Sequence, residues 1–279
     1  MNAILLPTDF SENSWNAITY ALQYFKHLPC NFYLLNIDRS KTLAVDYFLH
    51  HSVKEVQSSI TDSPKKKLLK LIDTIKLKFP NQNHRFFSLT DHSFLIDSIR
   101  KHVEEKKIDM IVMGTKGASG IKKLIIGSNT GAVITRVKCT TLVVPENASY
   151  TSPREIAFLT DFSMFYSVKV LEPIFDILER FNSNLRILHI ANKEAHLNFD
   201  QLKNKEFLSD YLNNRKHSFH FQTNKKIEES IQCFIEKQSI SIIAMVAKNL
   251  NYFQQILFNS KVKTMSYHTD IPFLVIHEK

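Results

Sequence analysis

Short apolar runs alternate with longer stretches in which apolar residues return every three or four positions. AILLP (3–7) is a brief continuous apolar run of the kind a buried strand makes. The segment after it, SENSWNAITYALQYFKHL, places Trp15, Ile18, Leu22 and Phe25 at helical spacing, with Ser11 positioned to cap its start. NFYLLNI predicts a second strand. PKKKLLKLIDTIKLKFP spaces its lysines around apolar Leu68, Leu69, Leu71, Ile72 and Ile75 and predicts a helix with a buried stripe and a solvated face, ending at Pro80. HRFFSLT, SFLIDSIRKHVEEKK, DMIVMG, NTGAVITRVK and TTLVVP then read as strand, helix, strand, helix and strand. Such alternation predicts a parallel sheet with right-handed crossovers and helices on both faces.

The pattern occurs twice. ILLPTDFS (4–11) returns as IAFLTDFS (156–163), IDMIVMGTKG (108–117) as ISIIAMVAKN (240–249), and TTLVVPE (140–146) more loosely as IPFLVIHE (271–278). Strands of the second copy are expected at EIAFLT, LRILHI, HSFHF, SIIAMV and FLVIH, and this copy is shorter in its middle. The expected units are 1–147 and 153–279, joined by the polar, proline-bearing PENASYTSPRE.

Composition changes this picture little. The chain has 279 residues, 44% hydrophobic and 23% charged, enough for a sizeable core. No run approaches the roughly eighteen apolar residues of a membrane span. The start lacks a basic n-region and reads as a strand rather than a signal peptide. Cys30, Cys139 and Cys233 share no metal-ligand spacing, which fits a reduced cytoplasm. His50–His51 reads as loop or surface, and no metal site is expected. The net charge of +9 is concentrated in residues 1–150, at +7. A basic balance can signal nucleic acid, but the lysines lie on one face of an amphipathic helix, which argues against that role.

One feature demands chemistry. All five glycines lie within MGTKGASGIKKLIIGSNTGAV (113–133): Gly114, Gly117, Gly120, Gly127 and Gly131. The cluster follows the fourth strand, at the sheet end where doubly wound folds bind ligands. Glycine admits positive φ and close backbone approach, so such a loop can aim several N–H groups at a phosphate. GSNTGAVI then opens a helix whose N-terminus carries free N–H groups and partial positive charge. Lys116, Lys122 and Lys123 lie near. A surface turn is the plain alternative, weakened by the absence of glycine elsewhere. There is no GxxxxGK[ST], and no GxGxxG follows the first strand, which excludes a Walker A loop and argues against a dinucleotide site.

These residues resemble the universal stress protein family in its tandem form. Its nucleotide-binding members carry G-x2-G-x9-G-[ST] between the fourth strand and last helix, and Gly114, Gly117, Gly127 and Ser128 match every spacing. ILLPTDFS, LLNI and TTLVVP resemble its first, second and fifth strands. The resemblance implies an α/β fold of two tandem doubly wound five-stranded parallel sheets, adenine nucleotide alpha hydrolase-like, of strand order 3-2-1-4-5. It implies bound ATP, with AMP or another adenine nucleotide as alternatives. Asp9 would contact the ribose, with Pro7 and Thr8 lining the pocket. Ile37 would meet adenine through its backbone, and Met113 would also belong to the nucleotide site. Gly114 and Gly117 would follow ribose and phosphates, and Gly127, Ser128 and Asn129 would hold the phosphates. Asp9 with the phosphates could hold one Mg²⁺. Family members pair through their fifth strands, so the two copies are expected to pair within the chain. A homodimer is a further expectation, as is an unidentified protein partner.

The TDFS turn recurs at Thr160–Ser163 although the second copy has no glycine loop. Gly114 and Gly117 align with Val246 and Asn249, and Gly127 and Ser128 with Phe258 and Asn259. Asp9 and Asp161 can therefore equally serve to fix the strand-to-helix turn. One nucleotide per chain is expected, in copy one. No nucleophile–base pair stands out, so the expected function is that of an ATP-binding stress-response regulator. A slow ATPase and a structural interaction protein with a non-functional site are the alternatives.

Overall fold

The computed structural model describes residues 2–38, 63–115, 127–191, 196–223, 227–249 and 270–278. His50 and His51, Gly117 and Gly120, Lys116, Lys122 and Lys123, and Phe258 and Asn259 lie outside them. In the first half the order is β1 (Asn2–Pro7), α1 (Glu12–Tyr24), β2 (Cys30–Ile37), α2 (Pro64–Lys78), β3 (His84–Asp91), α3 (Leu95–Glu105), β4 (Met110–Gly114), α4 (Ser128–Arg136) and β5 (Thr140–Val144). The second half runs β6 (Glu155–Leu159), α5 (Val168–Phe181), β7 (Asn184–Ala191), α6 (Phe199–Tyr211), β8 (His217–Thr223), α7 (Ile227–Gln238), β9 (Ile242–Val246) and β10 (Phe273–Ile276).

Local chemistry explains the boundaries. Ser11 caps α1 by accepting from the Ser14 N–H, as its sequence position predicts. Ser63 caps α2, and Pro64 occupies the first turn, where its missing N–H costs nothing. Asn198 and Gln201 form a reciprocal capping box on α6. α5 ends at Asn182, in the left-handed conformation at φ 50°.

The described strands form one ten-stranded sheet in the order β3-β2-β1-β4-β5-β10-β9-β6-β7-β8. Each half has the doubly wound order 3-2-1-4-5, and all pairs within a half are parallel. The seam is antiparallel, with Phe273 opposite Val143, Leu274 opposite Leu142 and Val275 opposite Thr141. Both seam strands are buried along their whole length. On one face a single apolar core runs through both halves, including Ile4, Leu22 and Phe32 from the first and Ile156, Phe158 and Ile174 from the second. α1 and α5 meet in it, with the Tyr24 and Phe181 rings 5.4 Å apart. Two smaller cores fill the other face, and Ile134 of α4 belongs to the one under the second half.

The join between halves is held against α1 rather than free. Asn16 Nδ2 donates to the Pro145, Glu146 and Ala148 carbonyls at 3.0, 3.1 and 3.0 Å. Tyr150 packs edge-on against Tyr20 at 5.3 Å. The second copy keeps a helix between its second and third strands. Its shortening falls just before that helix: residues 38–63 separate β2 from α2, while only 192–198 separate β7 from α6.

Candidate functional site

Parallel strands bring their carboxyl ends to one edge, and β1, β2 and β4 are neighbours there. That edge gathers Pro7, Thr8 and Asp9 after β1, Ile37 at the end of β2, and Met113 and Gly114 at the end of β4. Gly127, Ser128 and Asn129 join them at the start of α4. Of the residues the glycine spacing and strand ends single out, Gly117 alone falls outside the described residues. Backbone bonds hold the parts in register. Thr8 N–H donates to the Leu35 carbonyl at 2.8 Å, and Gly127 N–H to the Thr115 carbonyl at 2.6 Å. Thr130 Oγ1 donates to the Gly114 carbonyl at 2.8 Å, tying α4 to the end of β4.

α4 has Gly127 at its cap, and no side chain caps it. Among the described residues its first-turn N–H groups meet no side-chain acceptor, and they lie beside exposed Ser128 and Asn129. This is the arrangement that favours an anion at a helix N-terminus.

The turn after β1 is built from its own side chains. Asp9 Oδ1 accepts from the Ser11 N–H at 3.1 Å and the Ser11 hydroxyl at 2.6 Å. Thr8 Oγ1 accepts from the Phe10 N–H at 3.1 Å and bonds the Ser14 hydroxyl at 2.9 Å. Phe10 takes a positive φ of 64°. The second copy repeats the turn, with Tyr166 taking the place of Ser14 at 2.7 Å from Thr160 Oγ1. Asp161 Oδ1 accepts from the Ser163 N–H and hydroxyl at 2.9 and 2.8 Å. Thr160 Oγ1 accepts from the Phe162 N–H at 2.9 Å, and Phe162 has φ 57°. A turn made identically in both halves shows that each aspartate shapes the backbone, whatever else it contacts.

Sequence reading missed Asn36. Its Nδ2 donates to the Thr8 carbonyl at 2.8 Å and steadies the turn from β2. His189 does the same in the second half, its Nδ1 lying 3.1 Å from the Thr160 carbonyl. A polar residue inside each apolar run, LLNI and ILHI, is the signal that could have found them.

Gly114 has a further, packing reason that its position does not show. A Cβ there would lie 2.7 Å from Asn13 Cγ and Oδ1 and 2.8 Å from Nδ2. The missing side chain makes room for buried Asn13 of α1, so α1 can settle against β4. In the second copy Val246 is buried at this position, and Phe165, at the place of Asn13, is 50% exposed.

The two sheet ends then diverge. Phe10 is 38% exposed, whereas Phe162, on the same backbone turn, is fully buried. The registers explain it. β3 places Ser88 and Thr90 opposite Leu34 and Asn36, while β8 places Phe219 and Phe221 opposite Ile187 and His189. The Phe162 ring packs against His189, Phe219 and Phe221 at 5.5, 6.2 and 6.1 Å between centroids. α6 closes over it: Gln201 Nε2 donates to the Asp161 carbonyl at 2.8 Å, and Asn204 Nδ2 to the Phe162 carbonyl at 2.9 Å.

Among the described residues no group of three ligating side chains could hold a metal, and no helix is long and apolar enough to cross a membrane. The three cysteines form no disulfide among the described residues; Cys30 and Cys139 are buried, and Cys233 is exposed. Burial pushes the Cys30 thiol up to about 11, which leaves it protonated and inert.

Comparison with known proteins agrees with this architecture. The model of the universal stress protein family matches residues 1–145, and the chain belongs to that family. Universal stress protein YxiE of Bacillus subtilis is 25% identical over 149 residues, covering 51% of this chain and 98% of its own. Universal stress protein MJ0577 of Methanocaldococcus jannaschii is 26% identical over 156 residues, covering 52% of this chain and 96% of its own. Each relative thus corresponds to about half of this chain. The crystal structure of a universal stress protein from Archaeoglobus fulgidus superposes over 99% of this chain and 96% of its own. Its TM-score is 0.68 at 18% identity, which extends the likeness of fold to both halves.

Proposed function

We propose that this chain binds one adenine nucleotide, ATP in the first instance, at the carboxyl edge of its first half, and serves as a nucleotide-dependent regulator in the cytoplasm. The observation that carries the reading is the uncapped N-terminus of α4, set behind Gly127 and beside the ends of β1, β2 and β4. Phosphates would take the N–H groups of Ser128 and Asn129 and of the loop carrying Gly117. Asp9, Pro7 and Thr8 would border the ribose, and Ile37 and Met113 the base. A magnesium ion would come with the nucleotide, Asp9 being the carboxylate at hand.

The two functional units are 1–147 and 153–279, and the second is a structural half. Burial of Phe162 under α6, together with Val246, supports a single site. Nucleotide occupancy would act on a protein partner through the surface of the paired halves.

The test is a calorimetric titration of the nucleotide-free chain with Mg-ATP. The expected result is one site per chain, abolished in Gly117→Val. Two equal sites would overturn the assignment of the second half, and no binding would leave the glycine loop as a turn. Hydrolysis above background that vanishes in Gly117→Val would make the protein an ATPase instead.

A further inference from the structure

Away from the phosphate loop, a cavity of about 440 Å³ opens where β3 ends and α3 begins. It is lined by Asp91, His92, Ser93, Asp97, Ser98 and Lys101. Ser98 is 1% exposed, and its hydroxyl has no hydrogen-bond partner among the described residues. Native proteins rarely leave a buried hydroxyl unmatched, and an unmatched group on a cavity wall suits a ligand atom. α3 starts behind Phe94, which offers no side-chain cap. The positive end of that helix therefore opens on the same space.

The charges here are mixed. Asp91 Oδ2 is held by His102 Nε2 at 2.9 Å, and Lys101 Nζ stands 3.8 Å from Asp91 Oδ1. His92 Nδ1 is engaged with Asp38, 3.2 Å from its carbonyl oxygen and 3.6 Å from its carboxylate. Asp97 has no ion-pair partner among the described residues. A simple anion would meet Asp91 and Asp97, and a simple cation would meet Lys101 and the helix terminus. A small molecule carrying both signs meets neither conflict.

We propose that this cavity binds the zwitterionic head of a free α-amino acid. Its carboxylate takes the α3 first-turn N–H groups and Lys101, its ammonium takes Asp97 with Asp91, and the Ser93 and Ser98 hydroxyls complete the set. The assignment does not rest on nucleotide binding, because the residues involved belong to β3, α3 and the turn between them.

The experiment is a calorimetric titration of the full, nucleotide-free chain with glycine and with L-glutamine, and separately with acetate and with ethylamine. Saturable binding of at least one amino acid is expected, one per chain, with acetate and ethylamine weaker by about tenfold or more. Lys101→Gln and Asp97→Asn should each weaken it by about tenfold while melting with the parent chain, since both side chains are exposed. Three results would overturn the proposal: no saturable binding of either amino acid at millimolar concentration, acetate or ethylamine binding as well as the amino acids, or both variants binding like the parent.

Discussion

Phe10 and Phe162 occupy the same strained turn, yet one ring is exposed and the other buried. What differs is not the turn but the residues two strands away, Ser88 and Thr90 against Phe219 and Phe221. The aspartates are correspondingly comparable. Asp9→Ala and Asp161→Ala should each cost about 1 kcal/mol of stability by loosening the turn. Only Asp9→Ala should also weaken ATP binding in calorimetry; equal affinity in both variants would limit Asp9 to its structural task. Gly114 gives a second residue-scale prediction. Gly114→Ala should destabilise by about 1–3 kcal/mol in denaturant unfolding, because its Cβ collides with Asn13. The double variant with Asn13→Ala should recover part of that loss, a coupling that a double-mutant cycle measures. The glycine spacing was legible in the sequence, but this partner was not. Asn13 lies 101 positions away, and only the packing of α1 on β4 brings it to Gly114.

At the scale of elements, the sequence was most legible where periodicity is strong. Every strand placed from its apolar run lies among the described strands, and Ser11 caps α1 as expected. Less legible was α6, where Leu208 is the one fully buried residue while Phe199, Leu202 and Phe207 are exposed. Its apolar residues follow no single stripe, so pattern could not show which face is inward. What holds it is polar: the Asn198–Gln201 capping box and the bonds of Gln201 and Asn204 to the turn after β6. Gln201→Ala should therefore cost more than Asn204→Ala. Each loses a bond to the turn, about 1 kcal/mol, and Gln201 also loses its half of the capping box. Thermal melting of the two variants checks the order. Equal melting temperatures would mean the capping box adds nothing to α6.

For the whole molecule, the shared core predicts that both halves unfold together. Acid should weaken that unit. Burial pushes His84, His220 and His277 below the usual histidine value of 6.5. The folded state thus disfavours protons that the unfolded chain accepts. Stability is present above the unfolded value and declines as pH falls below it, toward the folded values. Asp176, raised by burial from the ordinary carboxylate value, acts in the opposite sense. The midpoint temperature should fall between about pH 7.5 and pH 5.5, and less steeply in His84→Gln. A flat profile would show that these rings pick up protons without unfolding.

Antiparallel pairing of β5 with β10 has a geometric outcome that sequence repetition conceals. The two halves point their carboxyl edges in opposite directions, so the glycine-bearing rim and the phenylalanine-filled rim lie at opposite edges of the one sheet, on either side of the seam. A ligand seated at one rim leaves the other uncovered, so the proposed nucleotide site and the rim of the second half can be engaged at the same time without contending for space.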